Sequence, residues 1–245
     1  MTRYFYDLHI HSCLSPCADD DMTPANIAGM AHLSGLQIVA LTDHNACGNC
    51  AVFMDACEAY GIVGVPGMEL TTAEEIHMVC LFPTLEAALV FDGVIAGHRL
   101  RVKNKPEIFG RQLLVNAEDE VIGEEPYLLS LATDLPIEEA YAQVVAHGGA
   151  AYPAHIDRQA NGIIAVLGTV PEQPEFAAVE LQSFENTALY QERHGLENKR
   201  ILYASDAHTL GRVQDAEFTI GLQVQDNGAQ QVCEALVRAL RGEQL

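Results

Sequence analysis

Short apolar runs recur along the chain at residues 4–10, 37–41, 62–65, 78–82, 150–153, 178–182 and 201–204. They are apolar at successive positions rather than at every second one, the pattern of strands buried on both faces of a parallel sheet. Helical periodicity fills several of the gaps, at 24–33, 50–60, 137–147, 186–194 and 230–240. The first of these starts with Thr23 as a predicted N-cap and Pro24 at the first helical position. Strands alternating with helices predict an α/β fold with a parallel sheet. One stretch breaks the rhythm. Residues 85–135 carry a helix-like segment, then a basic cluster, then a strand-turn-strand pattern leading through Glu118-Asp119-Glu120 to Val121-Ile122-Gly123. Fifty residues is long for a simple connection, so this segment is expected to be an insertion or small subdomain on the rim of a single domain spanning 1–245.

Composition sharpens the picture. With 245 residues, 49% apolar, 7% aromatic and no Trp, the chain has enough aliphatic residues for one large core. The formal charge of −21 argues against duplex DNA or an anionic membrane as partner, because neutralising phosphates takes a surplus of Lys and Arg. Five of the 13 basic residues nevertheless crowd together as Arg99, Arg101, Lys103, Lys105 and Arg111. That patch suggests either a small anionic ligand or a solvated helix face. With neither a leader-like start nor an apolar run of membrane-spanning length, a cytoplasmic protein is expected. The seven cysteines do not suggest a disulfide framework.

Chemistry collects where the strands should end. His9 and His11 close the first strand, Asp43 and His44 follow the second, Glu69 follows the third, His155 follows the fifth, and Asp206 with His208 follow the last. In parallel α/β folds the strand C-termini share one face, so these groups converge. His-x-His on a strand sends both rings to one face, where they can grip one ion; Asp7 shares their parity and could orient a ligand or bind weakly itself. Glu69 is a lone acid in an apolar setting, and a bridging role between cations would satisfy it. Imidazoles and carboxylates suit zinc, manganese or iron, and so many donors exceed what one ion can use. His77 and His155 carry no such signal when taken singly.

Four motifs, Asp7-Leu8-His9-Ile10-His11-Ser12, Thr42-Asp43-His44-Asn45, Pro153-Ala154-His155 and Ser205-Asp206-Ala207-His208, stand in the order seen in the PHP (polymerase and histidinol phosphatase) superfamily of metal-dependent phosphoesterases. The chain resembles that superfamily over nearly its whole length. The resemblance implies a distorted (β/α)7 TIM-like barrel and two or three divalent ions (Zn, Mn or Fe). By the same resemblance, His9, His11, Glu69 and Asp206 would hold one ion, Glu69, His77 and His155 a second, and His44 with His208 a third. The interval after the first motif departs from the pattern and reads Pro16-Cys17-Ala18-Asp19-Asp20-Asp21, leaving Asp19 or Asp20 to complete the third ion.

The predicted reaction is hydrolysis of a phosphate ester by hydroxide generated at the metal. Asp206 and His208 would place the nucleophile, and His44 or His208 would protonate the leaving group. Expected substrates are a small phosphorylated metabolite, a nucleotide or a short single-stranded nucleic acid. Arg111, Arg158 and Arg212 flank the motifs and are candidate phosphate clamps, or surface ion pairs. Cys13, Cys17, Cys47 and Cys50 fall in the loops after the first two strands, where they could form a second metal site or remain unpaired thiols. Competing readings are an amidohydrolase cleaving a C–N bond and a non-catalytic metal- or nucleotide-sensing module.

Overall fold

Each of these seven apolar runs forms a strand in the computed structural model, which describes residues 1–225 and 228–243. They are β1 (Thr2–Ile10), β2 (Ile38–Leu41), β3 (Val63–Thr71) and β4 (His77–Leu81), then, beyond a short hairpin of β5 (Leu113–Val115) and β6 (Val121–Glu124), β7 (Ala150–Pro153), β8 (Ala178–Leu181) and β9 (Arg200–Tyr203). A further strand, β10 (Thr219–Leu222), has no counterpart in the sequence reading. The helices are α1 (Pro24–Leu33), α2 (Cys50–Ala59), α3 (Leu85–Ala96), α4 (Pro106–Phe109), α5 (Ile137–Ala146), α6 (Ile163–Leu167), α7 (Thr187–His194) and α8 (Ala229–Leu240). Thr23 caps α1 as expected, accepting from Asn26 N. Among the described residues no helix is long and apolar enough to cross a membrane.

Together these elements make a mixed α/β fold, a curled half-barrel of TIM-like form. Six strands run in the order β10-β1-β2-β3-β4-β7, and β8 and β9 pair separately. An all-parallel sheet, however, is not what forms. β1, β2 and β3 are parallel, but β4 runs antiparallel to both β3 and β7, and β10 is antiparallel to β1. The reason is local: residues 72–76 close a tight turn, with Thr72 N bonded to Ile76 O, and leave no room for the crossover helix that a parallel connection needs. The reversal brings the start of β4 to the end of the barrel where β3 finishes, and His77 is its first residue.

β3 also continues past the predicted stop at Val65. Pro66 lacks a backbone donor, but it pairs with Leu41, the last residue of β2, so no interior ladder bond is lost there. Gly67 is needed at the next position, because a Cβ there would meet Cys80 O at 2.4 Å. Glu69 thus lies within the strand.

Strand residues alternate between two cores. Val39, Leu41, Met68, Leu70, Met78, Cys80 and Ala151 pack under α1, α2, α3 and α5, while Ile38, Ala40, Val65, Val79, Leu81, Ala150 and Tyr152 face a second core shared with α8. Glu69 and His77 have the parity of the second set. In β1, Leu8 belongs to one core and Ile10 to the other, although they are two apart. A bulge between Asp7 and Ile10 switches the parity.

α3 is part of the barrel wall, with Ala88, Phe91 and Ile95 in the main core. The stretch after it, with the β5–β6 hairpin, lies over the loops that follow β1 and β2. Leu113 N bonds Cys13 O at 2.7 Å, and Asn49 grips Leu113 O and Val115 N. Gly110, at φ +96, lies against Pro16 so closely that a Cβ would meet its carbonyl at 2.0 Å.

Candidate metal centre

Six of the ten histidines and two carboxylates meet at the site end of the barrel. At the centre is Glu69, 1% exposed. Its Oε1 lies 2.7 Å from His77 Nδ1, 3.1 Å from His155 Nε2 and 3.3 Å from His9 Nε2, and its Oε2 lies 3.1 Å from His44 Nδ1 and 3.3 Å from His11 Nε2. Asp206 approaches from the other side, its Oδ1 3.2 Å from His11 Nε2 and 3.4 Å from His9 Nε2. Three groups of side chains have donor atoms within 4.8 Å of one another: His9, His11, Glu69 and Asp206; His44, Glu69 and His77; and His11, His44 and His208.

Several elements hold these rings in place. The bulge in β1 turns His9 and His11 toward the cluster, and it turns Asp7 away. Asp7 instead accepts from the backbone of Ser205 and Gln214, so it braces the last motif rather than joining the cluster. Burial, partly offset by those bonds, pushes the Asp7 carboxyl up to about 6. Asp43 is not at the centre either: it binds Ser12 and accepts from Ser15 Oγ at 2.7 Å. Ser15 Oγ in turn accepts from His11 Nδ1 at 2.9 Å, leaving Nε2 for the carboxylates. His155 and Asp206 have left-handed backbones, φ 29 and 49, which cost about 1–3 kcal/mol each for non-glycine residues. Strain of this kind persists where surrounding contacts over-determine the position.

Glu180 is the group that the sequence reading missed. It sits on β8 at 1% exposure, bonds His9 Nδ1 through both oxygens at 3.0 and 3.2 Å, and accepts from His155 N at 3.1 Å. A buried acid in the apolar run Ala178-Val179-Glu180-Leu181 is the signal that singled out Glu69, and it applied equally here. Such a carboxylate orients a ligating imidazole from behind.

The electrostatics fit cations at the centre. Burial pulls His11 down, but Asp206 and Glu69 override it and carry it up to about 9; His44 rises to about 9 on Glu69 in the same way. Burial would raise Glu69, and His77, His9 and His44 instead hold it well below the usual carboxylate range. Burial and the neighbouring His11 push His208 down to about 3. Rings this close leave lone pairs facing one another, with His9 Nε2 and His11 Nε2 3.2 Å apart. The buried Nδ1 atoms of His44, His77 and His155 have no hydrogen-bond partner, although Glu69 is near. Orphaned nitrogens around buried carboxylates match the donor set of zinc, manganese or iron.

The remaining candidates divide. Arg158 reaches the cluster, donating to Asp206 Oδ2 at 2.6 Å while 40% exposed. Arg111 faces Glu124 and Asp20 on the rim, and Arg212 is exposed on a short turn after the last motif. Asp19 and Asp20 are exposed and belong to none of the three groups; Asp20 faces Arg111 at 3.7 Å. The four loop cysteines do not assemble either. Cys13 packs beneath the β5–β6 hairpin, and Cys47 and Cys50 turn to Gly67 O under β3. Cys17 is exposed. Cys47 and Cys50 therefore share one acceptor beneath β3, apart from Cys13, which packs against Leu113, and from the exposed Cys17.

The family model described as PHP domain matches residues 7–240. No curated protein matches the chain. Among solved structures, the lesion-specific endonuclease PfuEndoQ from Pyrococcus furiosus has a TM-score of 0.65 at 18% identity, over 99% of this chain and 57% of that one. A structure of Endonuclease Q with a 27-mer duplex substrate, an abasic lesion at its active site, has a TM-score of 0.65 at 17% identity and the same coverage. The chain therefore spans little more than half the length of these relatives. A protein from Bifidobacterium adolescentis assigned as a metal-dependent phosphoesterase matches over 94% of this chain and 96% of its own, with a TM-score of 0.56 at 18% identity. At these identities the likeness is one of fold.

Proposed function

The chain belongs to the PHP domain family, and from that premise we propose that it is a metal-dependent hydrolase of phosphate esters. Its substrate would be a small phosphorylated metabolite, a nucleotide or a short single-stranded oligonucleotide. The observation that carries the reading is Glu69, a buried carboxylate with five imidazole nitrogens at 2.7–3.3 Å. Five imidazoles exceed the about four acceptor sites of one carboxylate, and bridged cations would satisfy them.

Two or three ions would be held: one by His9, His11, Glu69 and Asp206, one by Glu69 and His77 with His155 or, as the donor atoms group, His44, and one by His44 and His208. When bound, such ions lower the pKa of water to about 7 and neutralise phosphoryl oxygens. Glu180 and Ser15 fix the tautomers of His9 and His11, so that the Nε2 atoms face inward. Arg158, at the mouth of the cluster, binds a non-bridging phosphate oxygen with its guanidinium fork. Asp206 and His208 flank the nucleophile's position. Whichever of His44 and His208 is not ligating during turnover delivers the proton to the leaving oxygen.

The charge of −21 favours a small or single-stranded substrate over duplex. Endonuclease Q, in a longer chain, holds a duplex at its active site, so a lesion-bearing duplex belongs in the assay. The unpaired cysteines among the described residues accord with a cytoplasmic enzyme.

The test is metal analysis of purified protein, then turnover of p-nitrophenyl phosphate, bis(p-nitrophenyl) phosphate and a lesion-bearing duplex with and without manganese. At least two ions per chain and metal-stimulated hydrolysis are expected. Fewer than two ions with no turnover of either ester contradicts the reading. Monoester activity alone marks a phosphatase, and diester activity a nuclease.

A further inference from the structure

The basic cluster of the rim segment is not a helix face. Arg99 is taken by Asp92 and Arg111 by Glu124 and Asp20, but Arg101, Lys103 and Lys105 are exposed, and among the described residues no carboxylate pairs with them. Residues 93–106 contain no acid, in a chain that has 34. Backbone bonds from Asn104 N to Pro126 O and from Leu128 N to Val102 O set Lys103 opposite Tyr127 in an antiparallel bridge, so their side chains share one face. Arg101, two positions back, lies over the Tyr127 ring at 5.9 Å. The result is an aromatic ring flanked by cations at alternate positions of the chain.

This strip is tied to the mouth of the site. Gln112, fully buried, donates to Glu125 O and Tyr127 O and accepts from Leu129 N, each at 2.8 Å. Asn45, the residue after His44, donates to Leu129 O at 2.7 Å and to Leu131 O at 2.9 Å. Tyr127 is therefore at most about 7 Å of chain from a residue bound next to a histidine of the cluster. Of the acids around the strip, Glu124 is held by Arg111 and Glu125 accepts from Tyr127 N at 3.0 Å, while Glu107 lies past Lys105, where the strip ends. One phosphate ester cannot engage three separate cations and the cluster together; an anion that repeats can.

We propose that Arg101, Lys103, Lys105 and Tyr127 bind a single-stranded nucleic acid, the cations pairing with successive backbone phosphates and the Tyr127–Arg101 pair stacking a base, while a neighbouring phosphodiester reaches the cluster. This rests on the phosphoesterase reading above and narrows its substrate to an oligonucleotide. A cationic track for the backbone beside an aromatic ring tolerates any sequence, since every base has a π-face. The charge of −21 repels the denser phosphates of a duplex, and three cations offset it only locally.

The test is binding of a fluorescent, phosphorothioate-linked oligo(dT), which resists hydrolysis, by the full chain with manganese present and across a salt series. The wild-type protein is expected to bind it more tightly than a duplex of the same length. R101Q/K103Q/K105Q should weaken binding by at least about tenfold and lower the slope of log affinity against log salt by about 2, at roughly 0.7 for each phosphate contact of a single strand. Y127A should cost at least about fivefold. R193Q/R238Q, which removes exposed cations from α7 and α8, should change binding by less than about twofold. Four results overturn the strip: no binding by the wild-type protein, tighter binding of the duplex, equal losses in the two charge variants, or inorganic polyphosphate bound as tightly as oligo(dT) with Y127A unaffected. In each case metal content and p-nitrophenyl ester turnover still decide the hydrolase reading. Strip-dependent oligo(dT) binding by a protein with fewer than two ions and no turnover overturns that reading alone.

Discussion

The strands that carry the site are built in two different ways. β1, β2, β3, β4 and β7 share one continuous ladder, and that ladder delivers His9, His11, His44, Glu69, His77 and His155. β8 and β9, which deliver Glu180, Asp206 and His208, pair only with each other. Main-chain bonds join them to the rest at Ile156 N to Glu180 O, 2.8 Å, on one side, and on the other at the Ile10–Ala207 bridge with His11 N to Ala207 O and at Asp19 N to His208 O. Side chains of the site add Glu180 to His9, Asp7 to Ser205 and Arg158 to Asp206, beside Asp157 to Gln182 N and Ser183 N and Tyr6 Oη to Tyr203 N. In the first set the sheet positions the side chains of the site. In the second those side chains help to position the strands, so loading the proposed centre with metal should also close the seam.

Substitutions across the seam probe that contrast. Glu69→Gln removes the charge on which the ladder-borne rings converge; turnover should fall by more than about 100-fold, beyond the range for an outer-shell partner, with loss of bound metal by elemental analysis. Retention of both would break the central role of Glu69. Glu180→Gln acts from the loose side. It should cost about 10–100-fold in metal affinity or activity, and excess metal should recover much of the rate. Arg158→Ala leaves the ladder untouched and should raise KM roughly tenfold, the lower end for a charge-assisted bond, with kcat little changed; unaltered kinetics would remove Arg158 from substrate binding. Arg111→Ala, paired with exposed acids on the rim, should change neither kinetic constant by more than about twofold.

The legible part of this molecule was the part governed by simple periodicity. Apolar runs marked the strands, and histidines and carboxylates at their ends marked the face where they meet. What escaped came from pairing rather than pattern. The antiparallel β4 depends on a tight turn, and the length of β3 depends on where β2 stops beside Pro66. The bulge in β1 separates Asp7 from His9 and His11, which share its parity in any unbroken strand. Glu180 was visible as a buried acid in an apolar run, but nothing next to it in sequence tied it to His9, 171 positions away.

Hydrogen exchange of the full chain, zinc- or manganese-loaded against chelator-treated, measures the claim about the seam most directly. The account predicts that chelation speeds exchange in β8, β9 and residues 204–208 while β2 and the β2-paired part of β3 remain protected. Equal exchange in the two states, or a loss of protection spread evenly over all the strands, would contradict it.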